Sequence, residues 1–215
     1  MQKSRLVEIV ENFGNARVAV LGDFCLDVVR YIHPIDVSRE SPAIINRLDD
    51  QKTYPGAAAN VAYNLLGLGI PKIVPFTVIG DDSEAEILCK FFEGRDTGFD
   101  PVIKSEMRKT FVYEKIYSRG KGTSTPYAQT SRIDRGSYNP LNAKLESMLK
   151  NAIGKNTPLF GTLIVSNYDK GVITQSIQEF ATTSTVNRVI GTARKNTKSL
   201  KGFDLLVLND YETAS

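Results

Sequence analysis

The sequence predicts an α/β fold with a mainly parallel central sheet, and three observations carry that reading. Apolar runs at residues 18–21, 73–79, 159–165 and 205–208 are continuous rather than alternating, as strands covered on both faces require. Segments with helical spacing separate these runs, and that alternation favours right-handed crossovers onto one sheet. Each run ends in a polar cluster: Gly22-Asp23, Gly80-Asp81-Asp82, Ser166-Asn167 and Asn209-Asp210. Ligands of such sheets bind at the carboxyl ends of the strands, so these clusters are the first candidates for a site.

Taken in order, Leu6, Val7, Ile9, Val10 and Phe13 predict a short amphipathic helix ending near Gly14. Residues 18–21 form the first strand. Two stretches, about 28–54 and 110–134, mix β-branched residues with charges and prolines and predict strands that leave the main sheet to form a small lid. Small residues over 56–68 open a helix with Val61, Leu65 and Leu68 on one face. Asp82 is placed to cap a helix over 83–92 that buries Ile87, Leu88 and Phe91. Further helices are expected over 140–152, with Pro140 in the first turn, and over 174–180. A short strand at 188–190 and a buried one at 205–208 complete the order.

Composition narrows the function. Of 215 residues, 27 are Lys or Arg and 24 Asp or Glu, and a net charge of +3 is too weak to imply nucleic acid. The one local imbalance is basic: Arg188, Arg194, Lys195, Lys198 and Lys201 occur between Glu179 and Asp204 without an acidic residue. Two cysteines, Cys25 and Cys89, cannot staple a chain this long, and they read as reduced, mostly buried thiols. No apolar run approaches the length of about 20 residues needed to span a bilayer, so a cytoplasmic protein is expected, without membrane partners. A single histidine, His33, gives a histidine metal site or a serine triad little to build on.

The candidate binding residues lie at two places. Asp23 and Asp27, four residues apart after the first strand, are carboxylates able to accept hydrogen bonds from sugar hydroxyls, or plain turn and cap aspartates. Pro55-Gly56-Ala57-Ala58-Ala59-Asn60 opens a helix with small side chains, so a ligand can approach its unpaired N–H groups, with Asn60 adding a side-chain donor. Tight packing of alanines is the alternative. Neither a G-x-G-x-x-G fingerprint nor a G-x-x-x-x-G-K-[ST] loop is present, which removes a Rossmann dehydrogenase and a Walker-type ATPase.

In order, Val20-Leu21-Gly22-Asp23, Ser38-Arg39-Glu40-Ser41-Pro42-Ala43, Pro55-Gly56-Ala57-Ala58-Ala59-Asn60-Val61-Ala62, Gly80-Asp81-Asp82, Lys109-Thr110, Arg132-Ile133-Asp134, Ser166-Asn167-Tyr168-Asp169-Lys170-Gly171 and Asn209-Asp210-Tyr211-Glu212 resemble the ribokinase-like (PfkB) carbohydrate kinases. Within that family the chain is most similar to the heptose-7-phosphate kinase domain of ADP-heptose synthase. The resemblance covers essentially the whole chain. It implies a three-layer sandwich with a β lid that often mediates dimerisation, here a homodimer. It also implies ATP-dependent phosphotransfer to a sugar phosphate hydroxyl, with D-glycero-β-D-manno-heptose 7-phosphate as acceptor. By the same resemblance Asp23, Gly56, Ala57 and Asn60 would meet sugar hydroxyls, with Asp27 a further candidate from its place after the first strand. Charge and position put Lys115 and Arg132 near the sugar's phosphate. Asn209, Glu212 and Lys195 would hold Mg2+ and ATP.

The sequence departs from the family pattern at four points. Ala57 replaces the second glycine of the helix-start motif, Asn167 replaces an aspartate, and Gly191 stands where an aspartate usually follows a strand. Nothing matches the family's glycine-rich "GAGD" segment, which supplies the catalytic base and the anion hole, so the base is expected beyond Ser215 and the chain is expected to be an inactive, C-terminally incomplete fragment. A non-catalytic sugar-binding or lid-dimerisation module, or a PfkB kinase for another sugar, are the alternatives.

Overall fold

The computed structural model describes residues 3–94, 101–120, 125–184, 186–193 and 201–213. Six parallel strands form the central sheet: β1 (Arg17–Gly22), β4 (Lys72–Gly80), β5 (Val102–Ser105), β8 (Thr162–Asn167), β9 (Arg188–Ala193) and β10 (Leu205–Leu206), in the order β10-β9-β8-β1-β4-β5. The order reverses beside β1, which pairs with β4 on one side and β8 on the other. That switch point leaves a crevice at the carboxyl ends of β1 and β8.

Alternation along the strands sorts the core into two layers. Val18 and Val20 of β1 face one cluster with Ile73, Ile79 and the helices α2 (Ala58–Gly67) and α3 (Ser83–Lys90). Ala19 and Leu21 face the other, with Val74, Phe76, Val78, Leu163, Val165 and the helices α4 (Ala143–Asn156) and α5 (Gln175–Thr182). Leu149 and Ile153 of α4 are fully buried, and truncating either to alanine costs about 2–5 kcal/mol. Each of α3, α4 and α5 starts at a side-chain cap, from Asp82, Asn142 and Thr174. The helix expected at 140 therefore begins three residues later, with Asn142 rather than a first-turn proline setting its start.

The second sheet has the order β3-β2-β6-β7, made of β2 (Phe24–Val37), β3 (Ile44–Ala57), β6 (Phe111–Ser118) and β7 (Ala128–Arg135). β2 and β3 form one long antiparallel hairpin, β6 runs parallel to β2, and β7 pairs antiparallel to β6. The strands extend past the expected 28–54 span at both ends. Phe24, Leu26 and Val28 belong to the core cluster, so the inner third of β2 is core and not an exposed insert.

The expected helix near the N-terminus is present as α1 (Lys3–Glu11), with Leu6, Val7, Ile9 and Val10 exposed. Two expectations of burial are corrected. Ile87 is exposed, while Leu88 and Phe92 fill the core. β10 is two residues long, and Leu205, Leu206 and Val207 are exposed rather than buried. The edge strand β5 has too short an apolar pattern to be read from sequence. No helix among the described residues is long and apolar enough to cross a membrane.

Candidate sugar-binding site

β1 ends at Gly22, and Asp23 is the single residue between it and β2, so its carboxylate is fixed at the switch point. In place of the sugar contact expected for Asp23, its Oδ2 accepts the N–H groups of Tyr168 (2.7 Å) and Lys170 (3.2 Å), and Oδ1 accepts that of Val172 (3.0 Å). Only 1% of the residue is exposed. Burial pushes its pKa up, and the three N–H groups and the Arg108 guanidinium oppose that shift. Arg108 donates to the carbonyls of Asn139 (2.8 Å) and Lys170 (2.7 Å). Burial lowers its pKa and the Asp23 charge works against this. Asp23 is thus a clamp on the loop after β8. A small open pocket lies beside Asp23, Arg108, Thr110, Ser137 and Lys170.

The small-residue motif is also placed differently from the expectation. Gly56 and Ala57 close β3, and the helix begins at Ala58. The Ala58 N–H is taken by the Asp23 carbonyl at 3.0 Å, and Ala57, Ala58 and Ala59 are buried. Packing by alanines, the alternative reading, describes these three residues. Ala57 has φ 51° and ψ −127°, a backbone region that suits glycine. Asn60 is exposed on the first turn of α2.

Asp27, Lys115 and Arg132 are brought together on one face of the second sheet. Asp27 is opposite Tyr113 on β6, and Lys115, two positions further, is opposite Arg132 on β7. One pair crosses a diagonal between strands and the other runs along β7. Lys115 Nζ donates to Asp27 Oδ2 at 2.6 Å. Arg132 donates from Nε (2.5 Å) and Nη2 (2.8 Å) to Asp134, and this bond raises its pKa further. Asp27 Oδ1 lies against Gly56, where a Cβ would stand 2.6 Å from it.

Aromatic rings floor this face. Arg132 stacks over Tyr113 at 4.2 Å. The Lys170 ammonium sits over Phe111 (4.3 Å) and Tyr138 (4.6 Å), so the clamped loop packs its lysine onto the second sheet. Tyr168 packs against Cys25, Ala57, Phe111 and Tyr113. Arg108, Tyr113 and Asp134 were not selected by sequence reasoning. Asp134 alternates with Arg132 on the same face and offered a signal, but Arg108 follows the unseen strand β5 and had none.

Asn209 and Glu212 lie apart from this face, beyond β10, at the start of α6 (Asp210–Thr213). They cap each other: Asn209 Oδ1 accepts the Glu212 N–H and Glu212 Oε2 accepts the Asn209 N–H, both at 2.9 Å. Lys195 lies outside the described residues. Among the described residues no group of three His, Cys, Asp or Glu side chains could hold a metal.

A parallel sheet with its switch point beside β1, two helical layers and a second sheet springing from the end of β1 define a ribokinase-like carbohydrate-kinase fold. The solved structure of Arabidopsis thaliana ribokinase complexed with ribose and ATP matches it with a TM-score of 0.63 at 14% identity, covering 93% of this chain and 62% of that one. The chain is related to the kinase domain of the bifunctional protein HldE. It is 31% identical over 221 residues to HldE of Methylobacillus flagellatus, covering 100% of this chain and 44% of the relative. It is 28% identical over 177 residues to HldE of Pelobacter propionicus, covering 82% of this chain and 35% of the relative. The chain thus spans less than half the length of these relatives. No family model matches it.

Proposed function

We propose that the chain binds a sugar phosphate, D-glycero-β-D-manno-heptose 7-phosphate, as the acceptor-recognition part of an ATP-dependent phosphotransfer. The HldE relatives and the ribokinase-like fold support a sugar kinase related to heptose phosphate kinase. The single observation that favours sugar binding here is the immobilised Asp27 carboxylate, with Oδ2 held by Lys115 and Oδ1 seated on Gly56. An ionised carboxylate accepts bonds from neighbouring hydroxyls, and fixing it beforehand lowers the entropic cost of doing so. Gly56 supplies the room, Asn60 an amide at the rim, and Arg132 a planar cation suited to phosphate. Ala57 sits beneath, in the packed floor.

ATP would supply the phosphoryl group and Mg2+ would neutralise its charge. Asn209 and Glu212 carry hard oxygen donors of the kind magnesium takes, and their mutual capping leaves them a role through water, with Lys195 nearby in sequence. Among the described residues none is assigned as the general base. The exposed Ile35, Val37, Ile44 and Ile45 at the far end of the β2–β3 hairpin would carry the homodimer contact, to be checked by sedimentation of the Val37→Lys variant.

Isothermal titration with heptose 7-phosphate, the free heptose and other hexose phosphates tests the reading. Saturable heat, with an affinity that the Asp27→Asn variant weakens, is the expected result. If none of these compounds gives saturable heat, the proposal is wrong.

A further inference from the structure

Lys115 and Arg132 are the two cations that charge and position put near a phosphate, and the structure separates them. Arg132 is held by the carboxylate of its own strand and lies flat on Tyr113. Lys115 instead crosses from β6 to β2 to reach Asp27, away from the like-charged Arg132, its registered neighbour on β7. Both side chains of the Lys115–Asp27 pair are mostly shielded, at 29% and 23% exposed. A bond of 2.6 Å between opposite charges in that setting is strong and directional. Asp27 is restrained on both sides: one oxygen is bonded to Lys115, and the other faces Gly56, where an added Cβ would stand 2.6 Å from it.

From this geometry we infer that Lys115 is a positioning residue for Asp27 and not a ligand of the phosphate. It acts on the sugar through the carboxylate it holds. The inference rests on the proposed sugar-binding reading. Turning Lys115 toward a phosphate would release Asp27, so one lysine cannot serve both groups at once.

The test is titration of the whole chain with heptose 7-phosphate and with the free heptose, using wild type, Lys115→Met, Lys115→Arg, Asp27→Asn and the double variant. Lys115→Met is expected to weaken both ligands equally, by roughly tenfold, the worth of one charge-assisted bond. Lys115→Arg is expected to restore most of that loss, and Lys115→Met is expected to add nothing once Asp27 is Asn. Equal unfolding midpoints for wild type and Lys115→Arg keep folding out of the comparison. Weakening confined to the phosphorylated sugar, or additive losses in the double variant, overturns the inference. Wild-type protein that takes up neither ligand overturns the sugar-binding reading instead.

Discussion

The Asp23 carboxylate accepts the Tyr168 amide at 2.7 Å, joining segments 145 residues apart across the point where the sheet order reverses. With the bonds from Lys170 and Val172 it fixes the loop whose lysine packs on the second sheet. Removing the carboxylate leaves three N–H groups without that acceptor and Arg108 without its counter-charge. Asp23→Ala is expected to cost about 3 kcal/mol in urea unfolding. A loss below about 1 kcal/mol would show that the clamp does not hold the loop.

Ala57 is the reverse case, a side chain that the backbone disfavours. At φ 51° and ψ −127° strain costs about 1–3 kcal/mol, against about 0.8 kcal/mol gained by burying the methyl. Ala57→Gly is expected to raise stability by roughly 1 kcal/mol. An unchanged or lower unfolding midpoint contradicts this.

Gly56→Ala separates binding from folding. Its Cβ would meet Asp27 Oδ1 at 2.6 Å, the end of a side chain that can turn away. At Gly171, with φ 87°, a Cβ would instead meet the Asn139 carbonyl oxygen at 2.2 Å. Calorimetry and denaturation together are expected to show Gly56→Ala weakening sugar uptake with little stability loss, and Gly171→Ala destabilising the fold. Sugar affinity unaltered by the Gly56 change would remove Asp27 from the site.

Arg135 bonds Glu84 Oε1 at 2.7 Å, linking β7 to the first turn of α3. That bond is the main cause holding the Glu84 pKa below its ordinary 4.5. The stabilisation is present in full above 4.5 and is lost as the pH falls through the lower folded value. The partners are partly exposed, so its worth is about 0.5 kcal/mol. Arg135→Ala is expected to lose that amount at neutral pH and to match wild type at strongly acid pH. A deficit that persists in acid would assign the effect to something other than this pair.

Burial raises the Cys89 pKa, and Cys25 is fully enclosed. Alkylation of the native chain at mildly alkaline pH is therefore expected to be slow, with both thiols reacting rapidly once urea is added. Fast labelling of folded protein would contradict the packing of α3.

The sequence by itself determined most of the strand and helix order, the continuous apolar runs at β1 and β4 and the cap at Asp82, because each depends on neighbours within a turn or two along the chain. It also placed Asp27, Lys115 and Arg132 among the candidates. Only the tertiary structure decided how those charges pair, since Lys115 is 88 residues from Asp27 and choosing it over Arg132 depends on the register of β2 against β6. The same holds for Asp23, whose role as a clamp comes from a loop that folds back from β8, and for Ala58, whose N–H is claimed by the Asp23 carbonyl. Burial of residues such as Leu205 and Ile87 was misjudged for a related reason: apolar character is local, but what covers a side chain is a property of distant segments.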